Sequence, residues 1–262
     1  MGRLAMVTGA SSGIGDAYAT RLAEEGWDLV LVARRRDRLE QVATRLKDAH
    51  GISARIVDAD LADPGRVAEL SEEAAGLSLG LLVNNAALAH YMPFATLPAE
   101  PARELVNLNV LAPVLLTRAV VPGMVERGEG AVISVASLLA FSGAWDNEYL
   151  PKRAVYAASK AFLVTFTQIL AGELQGTGVR TQVVCPGLVR SEFHTRQGLD
   201  MSAVPRMEPE SVVEASLADL ERGIVVSIPG APDDDTALRE IAAAAASLVP
   251  ATRSAELPAR YS

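Results

Sequence analysis

Tyr156 and Lys160 stand four residues apart in Tyr156-Ala-Ala-Ser-Lys160, downstream of Ser137 and of a glycine-rich stretch, Thr8-Gly9-Ala-Ser11-Ser12-Gly13-Ile14-Gly15. On a helix, positions i and i+4 share a face, so the phenol and the ammonium can enter one pocket. An ammonium beside a phenol favours the ionised form, and a tyrosine pulled down from its free pKa of about 10 can give and take a proton near neutrality. The glycine-rich stretch supplies a second half of the chemistry. A turn of this kind aims backbone N–H groups and a helix N-terminus at a phosphate, and its glycines let the backbone approach closely. Proton transfer beside a bound dinucleotide is the arrangement needed for hydride transfer.

These groups need a scaffold, and the periodicity supplies one. The run from Arg3 to Thr8 is short and apolar, as a buried strand is, and an amphipathic helix from Ala17 to Glu25 follows the loop and stops at Gly26. Asp28 to Ala33 reads as a second strand, Asp37 to His50 as a helix, Ile52 to Val57 as a strand, Pro64 to Ala75 as a helix and Gly80 to Asn84 as a strand. The alternation continues with a long helix from Glu100 to Glu126, strand Ala131 to Val135, helix Ala154 to Gln175, strand Arg180 to Cys185, helix Pro209 to Arg222 and strand Ile224 to Ile228. Repeated strand–helix alternation predicts an α/β fold: a single Rossmann-like domain over 1–262 with a doubly wound parallel sheet of about seven strands flanked by about six helices. Right-handed crossovers place the ligand crevice at the carboxyl ends of the strands, where Thr8, Ala33, Asn84, Ser137 and Pro186 all fall.

The tip of the second strand bears on which dinucleotide fits. A carboxylate there would accept hydrogen bonds from the ribose 2′-OH of NAD, whereas an arginine accommodates the 2′-phosphate of NADP. The tip is Ala33, and Arg34, Arg35 and Arg36 follow it, so NADP(H) is expected, with Arg34 as the main phosphate ligand. The alternative is that the three arginines form a solvated face opening a helix.

The net charge of −8 in 262 residues argues against a nucleic-acid or anionic-membrane partner and favours a small molecule. Cys185 is the only cysteine and precedes Pro186 after an apolar strand, so it reads as a buried structural thiol in a reducing compartment. The first strand begins almost at the N-terminus, leaving no signal-peptide core, and the apolar run Ile241 to Val249 is too short to span a bilayer. A cytoplasmic protein without a membrane span is expected. His50, His90 and His194 have no ligand spacing, so no metal is expected.

Taken in order, the glycine-rich loop, Asp60-Leu61, Asn84-Asn85-Ala86, Asn109, Ser137, Tyr156-x-x-x-Lys160 and Pro186-Gly187 resemble the short-chain dehydrogenase/reductase family over nearly the whole chain to about Pro229. The resemblance implies a reductase of ketones or aldehydes using NADPH, reversibly, with Asn109, Ser137, Tyr156 and Lys160 as catalytic residues. Ser137 would hold the substrate oxygen, Tyr156 would transfer the proton, and Lys160 would bind the nicotinamide ribose and lower the Tyr156 pKa. Asn109 would interrupt its helix to hold a water that relays protons from Lys160. The cofactor would lie against Gly9, Ser11, Ser12, Gly13, Ile14 and Gly15, against Arg34 and Arg35, and with its adenine between Asp60 and Leu61. Asn85, Ala86, Pro186, Gly187 and Val189 would line it further along, Ser191 would meet the carboxamide, and Asn107 would be structural.

The chain departs from the family pattern at three places. Ala87 replaces the usual glycine after Asn84-Asn85-Ala86 and adds a Cβ near the cofactor. Ser137 and Tyr156 are 19 positions apart, about half a dozen more than the family's usual separation. An insertion within 141–153 follows, in which Trp145 and Tyr149 either form an apolar patch over the substrate or pack on a neighbouring subunit. The stretch 188–210 shows no clear period and reads as a substrate lid, and the tail 232–262 opens on Asp233-Asp234-Asp235 before an Ala-rich helix to about Val249. The two long helices resemble the family's dimer-forming pair, so a homodimer or homotetramer is expected. A carrier-bound β-ketoacyl or polyketide substrate is an alternative, docked by Arg190, Arg196 and Arg206, and a non-catalytic NADP(H) sensor is an alternative of another class.

Overall fold

A computed structural model describes residues 3–145, 150, 152–231 and 236–249. It divides into two compact units, Met1–Pro229 and Gly230–Ser262. Within the first, seven strands form one sheet in the order β3-β2-β1-β4-β5-β6-β7. The strands are β1 (Leu4–Thr8), β2 (Asp28–Ala33), β3 (Ala54–Asp58), β4 (Leu81–Asn84), β5 (Gly130–Val135), β6 (Val179–Val184) and β7 (Val226–Ser227). Every pairing is parallel, with Leu4 opposite Asp28 and Asn84 opposite Ser134.

Both faces of a parallel sheet are covered by helices, which is why its strands read as unbroken apolar runs. Ala5, Val7, Leu29 and Leu31 enter the core on one face, and Met6, Val30, Val32 and Leu82 enter the core on the other. The order reverses at β1, where β4 lies on one side and β2 on the other, and the crevice opens at the carboxyl ends.

The helices are α1 (Gly13–Glu24), α2 (Arg36–His50), α3 (Pro64–Ala75), α4 (Ala99–Val106), α5 (Ala112–Arg127), α6 (Ala154–Glu173), α7 (Glu192–Thr195) and α8 (Pro209–Glu221). The second unit contributes α9 (Thr236–Ala246). Local chemistry sets several of the starts: Asp63 caps α3 by accepting from the Gly65 N–H at 2.9 Å, and Pro64 and Pro209 fill first-turn positions where no N–H is needed.

The expected helix from Glu100 to Glu126 is three pieces. Asn107–Leu111 forms a π-helical turn between α4 and α5. Asn109 lies inside that turn, with its side chain receiving the Leu88 N–H at 3.1 Å and donating to the Leu88 carbonyl at 2.9 Å and Ser159 Oγ at 3.1 Å. The third strand begins at Ala54 rather than at Ile52, because Ser53 donates its N–H to the Asp28 carboxylate before the ladder starts. By length and composition, Ala99–Arg127 and Ala154–Glu173 would each suffice to cross a membrane. In this fold they put Leu116, Val120 and Met124, and Leu163 and Val164, into the core.

Candidate active site

On α6, the buried positions Tyr156, Ser159, Lys160, Leu163, Val164 and Thr167 repeat at i, i+3, i+4, i+7, i+8 and i+11, a single stripe turned to the sheet. The stripe carries Tyr156 and Lys160 inward together, 5 % and 2 % exposed. Ser137 sits two residues past β5 and caps the 3₁₀ turn Leu138–Ala144, accepting the Leu139 N–H at 3.1 Å. Its hydroxyl also hydrogen-bonds Tyr156.

The electrostatics differ from the expectation that Lys160 lowers the Tyr156 pKa. Lys160 Nζ donates to the Val135 carbonyl at 2.8 Å and lies 5.8 Å from the centre of the Tyr156 ring. Burial holds the Tyr156 hydroxyl well above the usual phenol range, the neighbouring Tyr91 adds to this, and Ser137 partly opposes it. Burial also pushes Lys160 down to about 8. Burial is the largest influence on the phenol, and Tyr156 is held protonated. Cys185 is buried and free, pushed up to about 12 by the same cause.

The glycine-rich loop enters the site through close backbone approach. A Cβ on Gly15 would lie 2.3 Å from the Gly9 carbonyl oxygen, and Gly13 adopts φ +58° with Ser191 Cβ only 3.1 Å from where its own Cβ would be. Asn85 clamps the loop: its Nδ2 donates to the Thr8 carbonyl at 2.9 Å, and its backbone N–H reaches Thr8 Oγ1 at 2.9 Å. Beyond β2, Arg35 Nη2 donates to Ser11 Oγ and Ser12 Oγ, both at 3.2 Å, and Nη1 meets Glu192 Oε2 at 3.1 Å. Arg34, expected as the principal phosphate ligand, lines the same cavity and lies 3.7 Å from the Glu104 carboxylate, while Arg35 is the arginine joined to the loop hydroxyls.

One cavity of about 980 Å³ joins these parts. Gly9, Ser11, Ser12, Gly13 and Ile14 line one end, with Arg34, Arg35, Asp60 and Leu61. Asn85, Ala86 and Ala87 lie along it, and Ser137, Tyr156 and Lys160 line it further on with Pro186, Gly187, Val189 and Ser191. Gly15 and Asn109 are not on its wall: Gly15 packs under the loop, and Asn109 is 1 % exposed and bound to Leu88 and Ser159. Asn107, read as structural, donates to the Ala62 carbonyl at 3.0 Å. Ser191 caps α7 by accepting the Phe193 N–H at 3.3 Å.

Of the two readings of the insertion, a patch over the substrate does not fit Trp145, and packing on a neighbouring subunit stays open. Trp145 is 45 % exposed and absent from the cavity wall, whereas Leu150 and Lys152 line it. Tyr149 and the acidic run 233–235 lie outside the described residues. The lid has more structure than its sequence suggested: Val189 bridges Met207 at its base, and α7 forms its first turn. No cluster of three or more potential metal ligands occurs among the described residues.

Two wall residues escaped the sequence reading. Tyr91 meets the Tyr156 ring edge-on and Phe193 packs on it at 5.9 Å; His194, within the stretch read as the lid, follows Phe193 on the wall. The available signal for Tyr91 was an aromatic residue in the loop just beyond Asn84-Asn85, at a strand's carboxyl end.

Residues 3–201 match the family model described as short chain dehydrogenase. The chain belongs to the short-chain dehydrogenase/reductase family. Among curated relatives, the very-long-chain 3-oxoacyl-CoA reductase of Mus musculus is 35% identical over 197 residues, covering 74% of this chain and 61% of the relative's own length. Among solved structures, a short-chain dehydrogenase from Sphingobium yanoikuyae in complex with NADPH superposes with a TM-score of 0.92 at 34% identity, covering 99% of this chain and 100% of that one. The bulky-bulky ketone specific alcohol dehydrogenase of Comamonas testosteroni superposes with a TM-score of 0.88 at 30% identity, covering 99% and 98%. This short-chain dehydrogenase/reductase thus shares its fold with enzymes of that family.

Proposed function

We propose that this chain is an NADP(H)-dependent reductase of bulky, largely apolar ketones or aldehydes, with Asn109, Ser137, Tyr156 and Lys160 as its tetrad. The observation that carries the reading is the single cavity with Arg35, Ser11 and Ser12 at one end and the hydrogen-bonded Ser137–Tyr156 pair further along.

The residues present fit the cofactor. Gly13 and Gly15 keep the loop low enough for a pyrophosphate to approach, Ala33 offers no carboxylate to a 2′-OH, and Arg35 with two serine hydroxyls forms a donor set suited to a 2′-phosphate. When bound, NADPH supplies the hydride to a carbonyl carbon. Ser137 and Tyr156 face the carbonyl oxygen, and donors aimed at the developing alkoxide stabilise charge that exists mainly in the transition state. Tyr156, kept protonated by burial, gives its proton to that oxygen, which suits the reducing direction. Lys160, which donates to the Val135 carbonyl, would hold the nicotinamide ribose. Asn109 acts on the tetrad by fixing Leu88 and Ser159, next to Lys160 on α6.

The substrate end of the cavity is walled by Leu138, Leu139, Leu150, Leu199, Met201 and Phe193, which favours apolar bulk over a small polar carbonyl. A β-ketoacyl thioester is the second reading, supported by the activity in the mouse relative's name. A cytoplasmic enzyme without a membrane span, acting as a homodimer or homotetramer, belongs to the same proposal. The acidic charge balance supports the location. Phe162, Phe166 and Ile169 repeat at i, i+4 and i+7 on α6, with Phe162 and Ile169 40 % and 61 % exposed, and this stripe supports self-association.

The test is NADPH oxidation across bulky ketones, aldehydes and β-ketoacyl thioesters, with Tyr156→Phe alongside. Turnover should fall by about 10²-fold or more in the variant while NADPH still binds. Undiminished turnover in Tyr156→Phe would remove the proposed proton donor.

A further inference from the structure

Both terminal nitrogens of the Arg35 guanidinium are bonded, in a way that bears on cofactor choice. One arm holds the Ser11 and Ser12 hydroxyls, and the other holds the Glu192 carboxylate at 3.1 Å. Glu192 is the first residue of α7, and its carboxylate also pairs with Arg196 and lies 4.0 Å from Arg38. The next residue, Phe193, packs on the Tyr156 ring at 5.9 Å. The first turn of the lid therefore touches the phosphate-binding arginine at one end and the proton donor at the other.

We infer that Glu192 is a specificity-determining residue, a carboxylate held on Arg35 that the 2′-phosphate of NADP(H) must displace and that NAD(H) leaves in place. The inference rests on the NADP(H) reading. A 2′-phosphate carries close to two negative charges and competes for the same guanidinium donors. A carboxylate left beside it would meet like charge at short range. Arg38 and Arg196 remain to hold Glu192 once it leaves Arg35, so displacement does not strand a charge. The movement is passed along one residue to Phe193 and so to the Tyr156 ring. A dinucleotide without the 2′-phosphate leaves α7 tied to Arg35.

The test compares 2′,5′-ADP with 5′-AMP by titration calorimetry on the full chain, in wild type and Glu192→Gln. Glu192→Gln should bind 2′,5′-ADP about tenfold more tightly than wild type and bind 5′-AMP equally well, because only the phosphate competes with the carboxylate. Amide hydrogen exchange over 190–197 should speed up in wild type when 2′,5′-ADP is added and not when 5′-AMP is added. If wild type prefers 2′,5′-ADP but Glu192→Gln binds it no better, the role of Glu192 is wrong and the NADP(H) reading stands. If neither protein prefers 2′,5′-ADP over 5′-AMP, the NADP(H) reading itself fails and takes the inference with it. Slower exchange over 190–197 with 2′,5′-ADP would also overturn it, since the phosphate would then be fastening α7 rather than freeing it.

Discussion

Tyr91 meets Tyr156 edge to face, with ring centroids 5.6 Å apart and planes at 79°, and their hydroxyls are hydrogen-bonded. Burial pushes Tyr91 up to about 12, so two protonated phenols stand together beside Ser137 in the cavity. Tyr91 helps to hold Tyr156 protonated and orients its ring. In Tyr91→Phe, the Tyr156 pKa should fall because one raising influence is lost. The pH at which alcohol oxidation gains rate should move down with it, and kcat should drop about fivefold, the value of roughly one hydrogen bond. A pH profile unchanged from wild type would show that Tyr91 only fills space.

Lys160 gives a pH-dependent prediction of stability. Its pKa falls from 10.5 to about 8 because it is buried, which corresponds to a folding penalty of roughly 3 kcal/mol. Below the folded pKa, both folded and unfolded chains hold the proton and the penalty is constant. Between the folded and unfolded values the unfolded chain binds more protons, so stability rises with pH. Lys160→Met should therefore be the more stable protein near pH 7, by about 1–2 kcal/mol after allowing for the Val135 carbonyl left unpaired. That advantage should shrink by about pH 9.5. Urea denaturation of both proteins at the two pH values checks this, and an advantage that grows with pH would reverse the sign of the argument.

The strands were legible because burial on both faces turns each into a continuous apolar run, as in Asp28–Ala33, and the glycine loop was legible because it falls between a strand and a helix. The inward stripe of α6 followed from helical spacing alone, Tyr156 and Lys160 being four apart. Contacts between distant segments were not legible. Arg35 and Glu192 are separated by 157 positions, and nothing in Arg34-Arg35-Arg36 says which arginine turns towards Ser11 and Ser12. The sign of the Tyr156 shift was missed because spacing reports a nearby ammonium but not the depth of burial, and burial is the largest influence. The first turn of the lid was missed because α7 is one turn long and too short to show a period.

Asn109 ties three segments together, receiving and donating at Leu88 and donating to Ser159. It is 1 % exposed, so Asn109→Ala leaves the partly buried N–H and carbonyl of Leu88 without these partners. A loss of about 2–3 kcal/mol in unfolding free energy is expected, read by urea denaturation. In Asn109→Asp, the acceptor to the Leu88 N–H is kept and the donors are lost, so the loss should be intermediate. If both variants unfold like wild type, the tie at Leu88 does not hold the π-helical turn in place.

Gly15 is set against the Gly9 carbonyl so closely that a methyl would lie 2.3 Å from the oxygen and 2.5 Å from Asn85 Nδ2. Neither neighbour can yield cheaply, because Gly9 is backbone at φ +68° and Asn85 Nδ2 is bonded to the Thr8 carbonyl. Gly15→Ala must therefore push the loop away from the start of α1, and the Ser11 and Ser12 hydroxyls lose their place beside Arg35. NADPH affinity should fall by at least tenfold, while a Gly26→Ala control, at φ +77° with open space around it, should lose stability without losing affinity. Fluorescence titration of NADPH against the two variants separates the outcomes. Equal affinities would mean that the close approach of Gly15 to Gly9 has no part in holding the phosphate-binding loop.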